Sequence, residues 1–85
     1  MQPQTARETL TRLKSVGEYL ADHTHLFPSP GAWVWFLRNN RERLAKSGAL
    51  VMLRGTTYVD PPLCDLEMMK IGREKAVQKA KAARG

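Results

Sequence analysis

The chain has one cysteine, Cys64, and two histidines, His23 and His25, among 85 residues. A single thiol cannot close an internal disulfide, and it cannot complete a metal cluster with two histidines elsewhere in the chain. No Walker-type glycine loop is present to cradle a nucleotide phosphate. No apolar run approaches the ~20 residues that a membrane span requires. The opening Met1-Gln2-Pro3-Gln4-Thr5 lacks the basic and then apolar stretch of a secretory leader. His23 and His25 follow Asp22 on a loop, and Cys64 as a nucleophile would need a neighbouring base and a lowered pKa. Exposed or capping histidines and a buried, inert thiol are the simpler readings. The expectation is a reduced, cytoplasmic, non-enzymatic protein with no cofactor, no metal and no membrane partner.

Charge of one sign is abundant, and it is unevenly placed. The net charge is +6. Residues 1–37 carry equal numbers of acidic and basic groups. Arg38, Arg41, Arg43, Lys46 and Arg54 then face Glu42 alone, and Asp60, Asp65 and Glu67 follow. Lys70, Arg73, Lys75, Lys79, Lys81 and Arg84 close the chain against Glu74. Two cationic blocks of this kind suit a polyanion, because each phosphate neutralised releases counterions. A solvated basic face without a partner is the alternative.

Local signals place the elements. Residues 1–6 read as a frayed start, and a turn around Thr9–Leu13 precedes the first helix. Ser15-Val16-Gly17-Glu18 fits a capping box opening a short helix that ends near His23. Pro28 and Pro30 make residues 24–30 a loop. Ser29 caps a helix that begins at Pro30, reaches about Lys46 and is closed by Gly48. Within it Trp33, Phe36, Leu37, Asn40 and Leu44 share one stripe. Ala49–Leu53 and Thr56–Val59 flank Arg54-Gly55 and read as a hairpin. Asp60-Pro61-Pro62 starts a last helix that carries Leu63, Leu66, Met69 and Ile71 inward and breaks at Gly72. The expected fold is mainly α with a small β-hairpin, a winged helix-turn-helix over residues 1–72. Residues 73–85 form a basic tail, either a frayed helix or a disordered arm.

This order brings a set of candidate contacts together. Ser29, Gly31 and Ala32 give the second helix a slim tip, with free N–H groups that favour phosphate. Arg38, Asn39 and Arg41 follow further along it. Arg54, Thr56 and Thr57 supply charge and hydroxyls at the hairpin tip. Lys70, Arg73, Lys75, Lys79 and Lys81 supply a further basic arm. Trp35 lies off the apolar stripe. It packs on sugar and thymine methyl groups, or it is covered by the N-terminal segment or a second copy of the chain.

Several of these residues carry a family resemblance. Ser15-Val16-Gly17-Glu18-Tyr19-Leu20 resembles the opening "Val-x-Glu-x-Leu" helix of excisionase-like and AlpA-like proteins, relatives of the MerR winged-helix domain. Leu44-Ala45-Lys46-Ser47-Gly48-Ala49-Leu50-Val51 resembles the entry to their wing. Arg54-Gly55-Thr56-Thr57-Tyr58-Val59-Asp60-Pro61 resembles its "Gly-x-x-x-Ile-Asp-Pro" return strand. The resemblance covers about Ser15 to Met69. It departs where Val34, Trp35 and Phe36 replace the polar residues that usually follow the cap.

The resemblance implies sequence-specific binding of double-stranded DNA. Such a protein is a recombination directionality factor or a small transcriptional regulator of a mobile element, associated with the nucleoid. The implied partners are DNA, a second copy of the chain and an integrase. The reading from a different class is a protein-interaction module or antitoxin-like subunit, with Trp35 and the Met68-Met69 pair facing a partner. RNA binding is disfavoured, because no exposed aromatic pair on a sheet offers itself for base stacking.

Overall fold

The computed structural model describes residues 3–84. Met1 and Gln2 of the expected frayed start, and Gly85 of the expected tail, lie outside them. The elements are α1 (Pro3–Arg12), β1 (Lys14–Ser15), α2 (Val16–Ala21), α3 (Pro30–Ser47), β2 (Leu50–Leu53), β3 (Thr56–Val59) and α4 (Pro61–Arg84). The chain is mainly helical with one small antiparallel sheet of order β1-β3-β2.

The capped starts form where local chemistry dictates. Ser15 Oγ accepts from the Glu18 N–H at 3.1 Å, and Glu18 Oε1 accepts from the Ser15 N–H at 3.2 Å, which closes the capping box of α2. Those bonds from Ser15 hold the Glu18 carboxyl below its usual range. Ser29 Oγ caps α3 through the Ala32 N–H, and Pro30 takes the first helical position. Gly48 ends α3 with φ 89°, and a Cβ there would lie 3.2 Å from Leu63 Cδ1. The left-handed backbone therefore favours glycine at this position, and a side chain there would also push Leu63 by a few tenths of an ångström.

Four sequence expectations need correction. The start is not frayed from residue 3 onward, because α1 is a ten-residue helix. It holds only Leu10 as a large apolar residue, and its last residue, Arg12, forms a two-pronged ion pair with Asp60. The distances are 2.8 Å (Nε–Oδ1) and 2.9 Å (Nη2–Oδ2). The hairpin gains a third strand, since Lys14 and Ser15 pair with Val59 and Tyr58. The helix α4 continues through Gly72 instead of breaking, so residues 73–84 are helical. Leu66 and Met69, expected inside, are half exposed, whereas Cys64 and Ile71 are buried. The inward face of α4 is therefore the stripe Cys64, Met68 and Ile71, flanked by Leu63.

The core sits where α2, α3, α4 and the sheet meet. It holds Tyr19, Trp33, Leu44, Ala49, Val59 and Cys64. Phe27 meets Trp33 edge-on at 5.3 Å between centroids and packs on Phe36 at 5.6 Å. Tyr19 is fully buried, and its hydroxyl donates to Asp65 Oδ1 at 2.6 Å. Burial raises the Tyr19 hydroxyl far above its usual value, so it stays protonated and remains a donor. Asp60 is also fully buried. Its N–H donates to the Ala49 carbonyl and its own carbonyl accepts from the Cys64 N–H, so it ties β3 to the start of α4 while its carboxylate holds α1.

Candidate nucleic-acid interface

The outward side of α3 follows from its phase of about 100° per residue. With Trp33, Leu44 and half-buried Leu37 facing the core, Gly31, Trp35, Arg38, Glu42 and Lys46 form the outermost line, and all are exposed. Val34 and Arg41 flank that line on one side and Asn39 on the other. Trp35 is 66% exposed, so residues 3–14 do not cover it. Val34, absent from the expected set, is 52% exposed beside it. The signal for it was available: Val34 is about 100° out of phase with the Trp33–Leu37–Leu44 stripe.

Ion pairing sorts the basic block. Arg43 Nε binds Glu67 at 3.0 Å, and its two terminal nitrogens bind Glu74 at 2.9 and 2.7 Å. It is a strut between α3 and α4, and the Glu74 and Glu67 carboxylates raise its already high pKa. Lys46 pairs with Glu42 at 3.0 Å on the surface. Arg38, Arg41 and Arg54 make no ion pair among the described residues. Within residues 38–54 the charges free to meet an anion are thus Arg38, Arg41 and Arg54; Arg7 and, on α4, Arg73, Lys75, Lys79 and Lys81 are likewise without ion-pair partners among the described residues.

At the tip of α3, Ser29 is exposed and caps Ala32, while Gly31 is exposed with ordinary backbone angles. A Cβ at Gly31 would meet only Ser29 Oγ, at 3.9 Å. Neither packing nor backbone conformation requires glycine there, as is also true of Gly17 and Gly72, and its lack of a side chain leaves the tip of α3 slim. Asn39 is less available than expected. Its Nδ2 donates to the Trp35 carbonyl at 2.8 Å, so the side chain is turned back along the helix.

The hairpin turn is made by Arg54 (φ 53°) and Gly55 (φ 78°), both left-handed. Two positive φ values match the tight turn whose twist suits paired strands, for which Asn-Gly is the usual choice. An arginine at the first position costs roughly 1 kcal/mol that asparagine or glycine would largely avoid. That local cost is unexplained by any contact of Arg54 within the described residues. Thr56 and Thr57 both lie in β3, so successive side chains point to opposite faces of the sheet. Thr57 shares the face of buried Val59, and Thr56 the other. The two hydroxyls therefore cannot serve one phosphate backbone together, and Thr56 is the more exposed.

The remaining candidates are dispersed. Lys70, Arg73, Lys75, Lys79 and Lys81 point around the whole circumference of α4. Lys70 lies 3.9 Å from Glu67. The Met68-Met69 pair is divided, because Met68 packs on the core and only Met69 is exposed. His23 stacks on Tyr19 at 4.1 Å, with its ring nitrogens 2.8 Å from the Tyr19 carbonyl and 3.0 Å from Asp65, and is held as a structural group. Burial raises the Cys64 thiol above its usual value, which disfavours the thiolate. Among the described residues, no helix is long and apolar enough to cross a membrane. No family model matches the chain, and none of the curated proteins or solved structures compared with it does.

Proposed function

We propose that the chain binds double-stranded DNA as a winged helix-turn-helix. In this reading α2 and α3 form the helix-turn-helix, α3 enters the major groove tip first, and the β2–β3 turn rests on the backbone. The observation that carries it is the placement of Arg38, Arg41 and Arg54, each without a carboxylate partner among the described residues: two on the exposed part of α3 and one at the turn, where a cheaper residue would fold as well. Gly31 is compatible with it, since an exposed helix tip without a side chain lets a ligand approach closely. The resemblance to excisionase-like and AlpA-like proteins suggests a directionality factor in recombination, or a small regulator of a mobile element. A second copy and an integrase are then the fitting protein partners.

The test is a titration of duplex DNA from the flanks of the chain's own gene, at several salt concentrations. Affinity should fall with a log–log slope of about 0.9 per phosphate contacted, so three arginines alone give roughly 2.7. A slope near zero, or no binding at the lowest salt, rejects the reading.

Arg54 gives a prediction in which stability and affinity part company. Arg54→Gly removes the side chain that strains the left-handed position, so the melting midpoint should hold or rise. Duplex affinity in 0.1 M salt should nevertheless drop about eight-fold, the share of one phosphate contact. Melting by circular dichroism and binding by fluorescence anisotropy, on the same preparation, check both halves.

A second reading rests on a different surface. Leu26, Phe27, Phe36, Met68, Met69 and Ile71 line an apolar groove of about 440 Å³ between the loop after α2 and α4. A protein partner seated there would make the chain an interaction module, whether or not α3 meets DNA.

A further inference from the structure

The outward side of α3 has an unusual composition for a surface that would meet base edges. Between the Ser29 cap and Arg38 its exposed side chains are Pro30, Val34 and Trp35, the last two 52% and 66% exposed. Apart from the indole N–H, they carry no hydrogen-bonding atom. The nearest amide, Asn39, spends one of its two Nδ2 N–H donors on the Trp35 carbonyl at 2.8 Å, which ties the side chain back along the helix rather than leaving it free to extend toward a base edge. The arginines begin only about two and a half turns beyond the cap. The part of the helix that would lie deepest is therefore apolar, and the cations stand behind it.

From this arrangement we infer that the chain reads thymine through its methyl group, with Val34 and Trp35 as the reading surface. This rests on the DNA reading above and says what the site selects. The thymine C5-methyl is the apolar group that a base pair displays in the major groove, and apolar side chains discriminate it by burying it. The unpaired charges of Arg38 and Arg41 on the same side of α3 fit phosphates flanking such a contact. A protein partner covering Val34 and Trp35 would have to desolvate both cations or provide carboxylates for them.

The experiment begins with selection of bound sites from a pool of random-sequence duplexes. The best site is then resynthesised with deoxyuridine in place of thymidine, one position at a time. Uracil differs from thymine only by the missing methyl, so hydrogen bonding and charge are unchanged. At one or more positions the wild-type chain should lose about four-fold in affinity, the value of one buried methyl. Trp35→Ala and Val34→Ser should each lower affinity for the thymine site and narrow its advantage over the uracil site. Both positions are exposed, so circular dichroism should show the fold retained. Selection of a site whose affinity is indifferent to uracil at every position overturns the inference while leaving DNA binding intact. Failure to bind any duplex overturns both. Loss of self-association in Trp35→Ala with undiminished affinity for the thymine site overturns the inference in favour of a protein-facing Trp35.

Discussion

The triple variant Arg38→Gln, Arg41→Gln, Arg54→Gln should fold like the parent and lose most of its affinity for duplex DNA. All three side chains are exposed and without ion-pair partners among the described residues, so no internal contact is broken. Glutamine is nearly as good a helix former as arginine at the two helical positions. If each arginine meets one phosphate, the log–log salt slope should shrink by roughly 2.7, and affinity in 0.1 M salt should fall by about two to three decades. Changing Lys46, already paired with Glu42, should leave the slope nearly unchanged, by well under the ~0.9 of one phosphate contact. Anisotropy titrations at four salt concentrations measure the slopes. Equal slopes for parent and triple variant would remove these arginines from the interface.

The largest expected loss of stability lies away from that surface. In Arg12→Ala the carboxylate of Asp60 stays fully buried and loses its two-pronged partner. Breaking a buried pair from one side is far more damaging than losing an exposed pair, because the remaining charge has no solvent to turn to. Arg12 is partly exposed, which lets some water in and moderates the effect. A fall of roughly 10–20 °C in the melting midpoint is expected for a chain of this size. Lys14→Ala removes an ion pair of similar length, to Asp22 at 2.6 Å, whose two side chains are 42% and 55% exposed. It should change the midpoint by no more than a few degrees. Similar midpoints for the two variants would mean that Asp60 is hydrated or otherwise compensated.

Features set by a few adjacent residues were readable from the sequence. The Ser15 and Ser29 caps, the Gly48 stop and the Arg54-Gly55 turn each depend on backbone chemistry within about four positions, and each is present. Features set by distant partners were not readable. The helix α1 depends on Arg12 finding Asp60, 48 positions away, and its own residues bury little. Strand β1 is two residues long and exists because β3 offers a free edge. On α4, both Leu63–Leu66–Met69 and Cys64–Met68–Ile71 have helical spacing, and only the packing partner selects the second. Gly72 looked like a stop, yet a single glycine inside a long helix costs only about 1 kcal/mol.

The candidate site was legible to a similar extent. Arg43 sits in the basic block by sequence, but Glu67 and Glu74 capture it from 24 and 31 positions away. Asn39 is turned back by a backbone carbonyl one turn earlier, and the strand pleat separates Thr56 from Thr57. The proposed set is smaller than the expected one and easier to test: the Gly31 tip, Trp35 with Val34 added beside it, and Arg38, Arg41 and Arg54 without ion-pair partners among the described residues.

The most direct measurement is an amide chemical-shift titration of the isotopically labelled chain with a duplex. Signals from residues 29–41 and 53–57 should move together and in proportion to saturation, while the loop near Leu26 and the groove at Met69 stay still. Shifts confined to that groove or to the last turns of α4, with α3 and the hairpin turn unmoved, would contradict a DNA-reading α3.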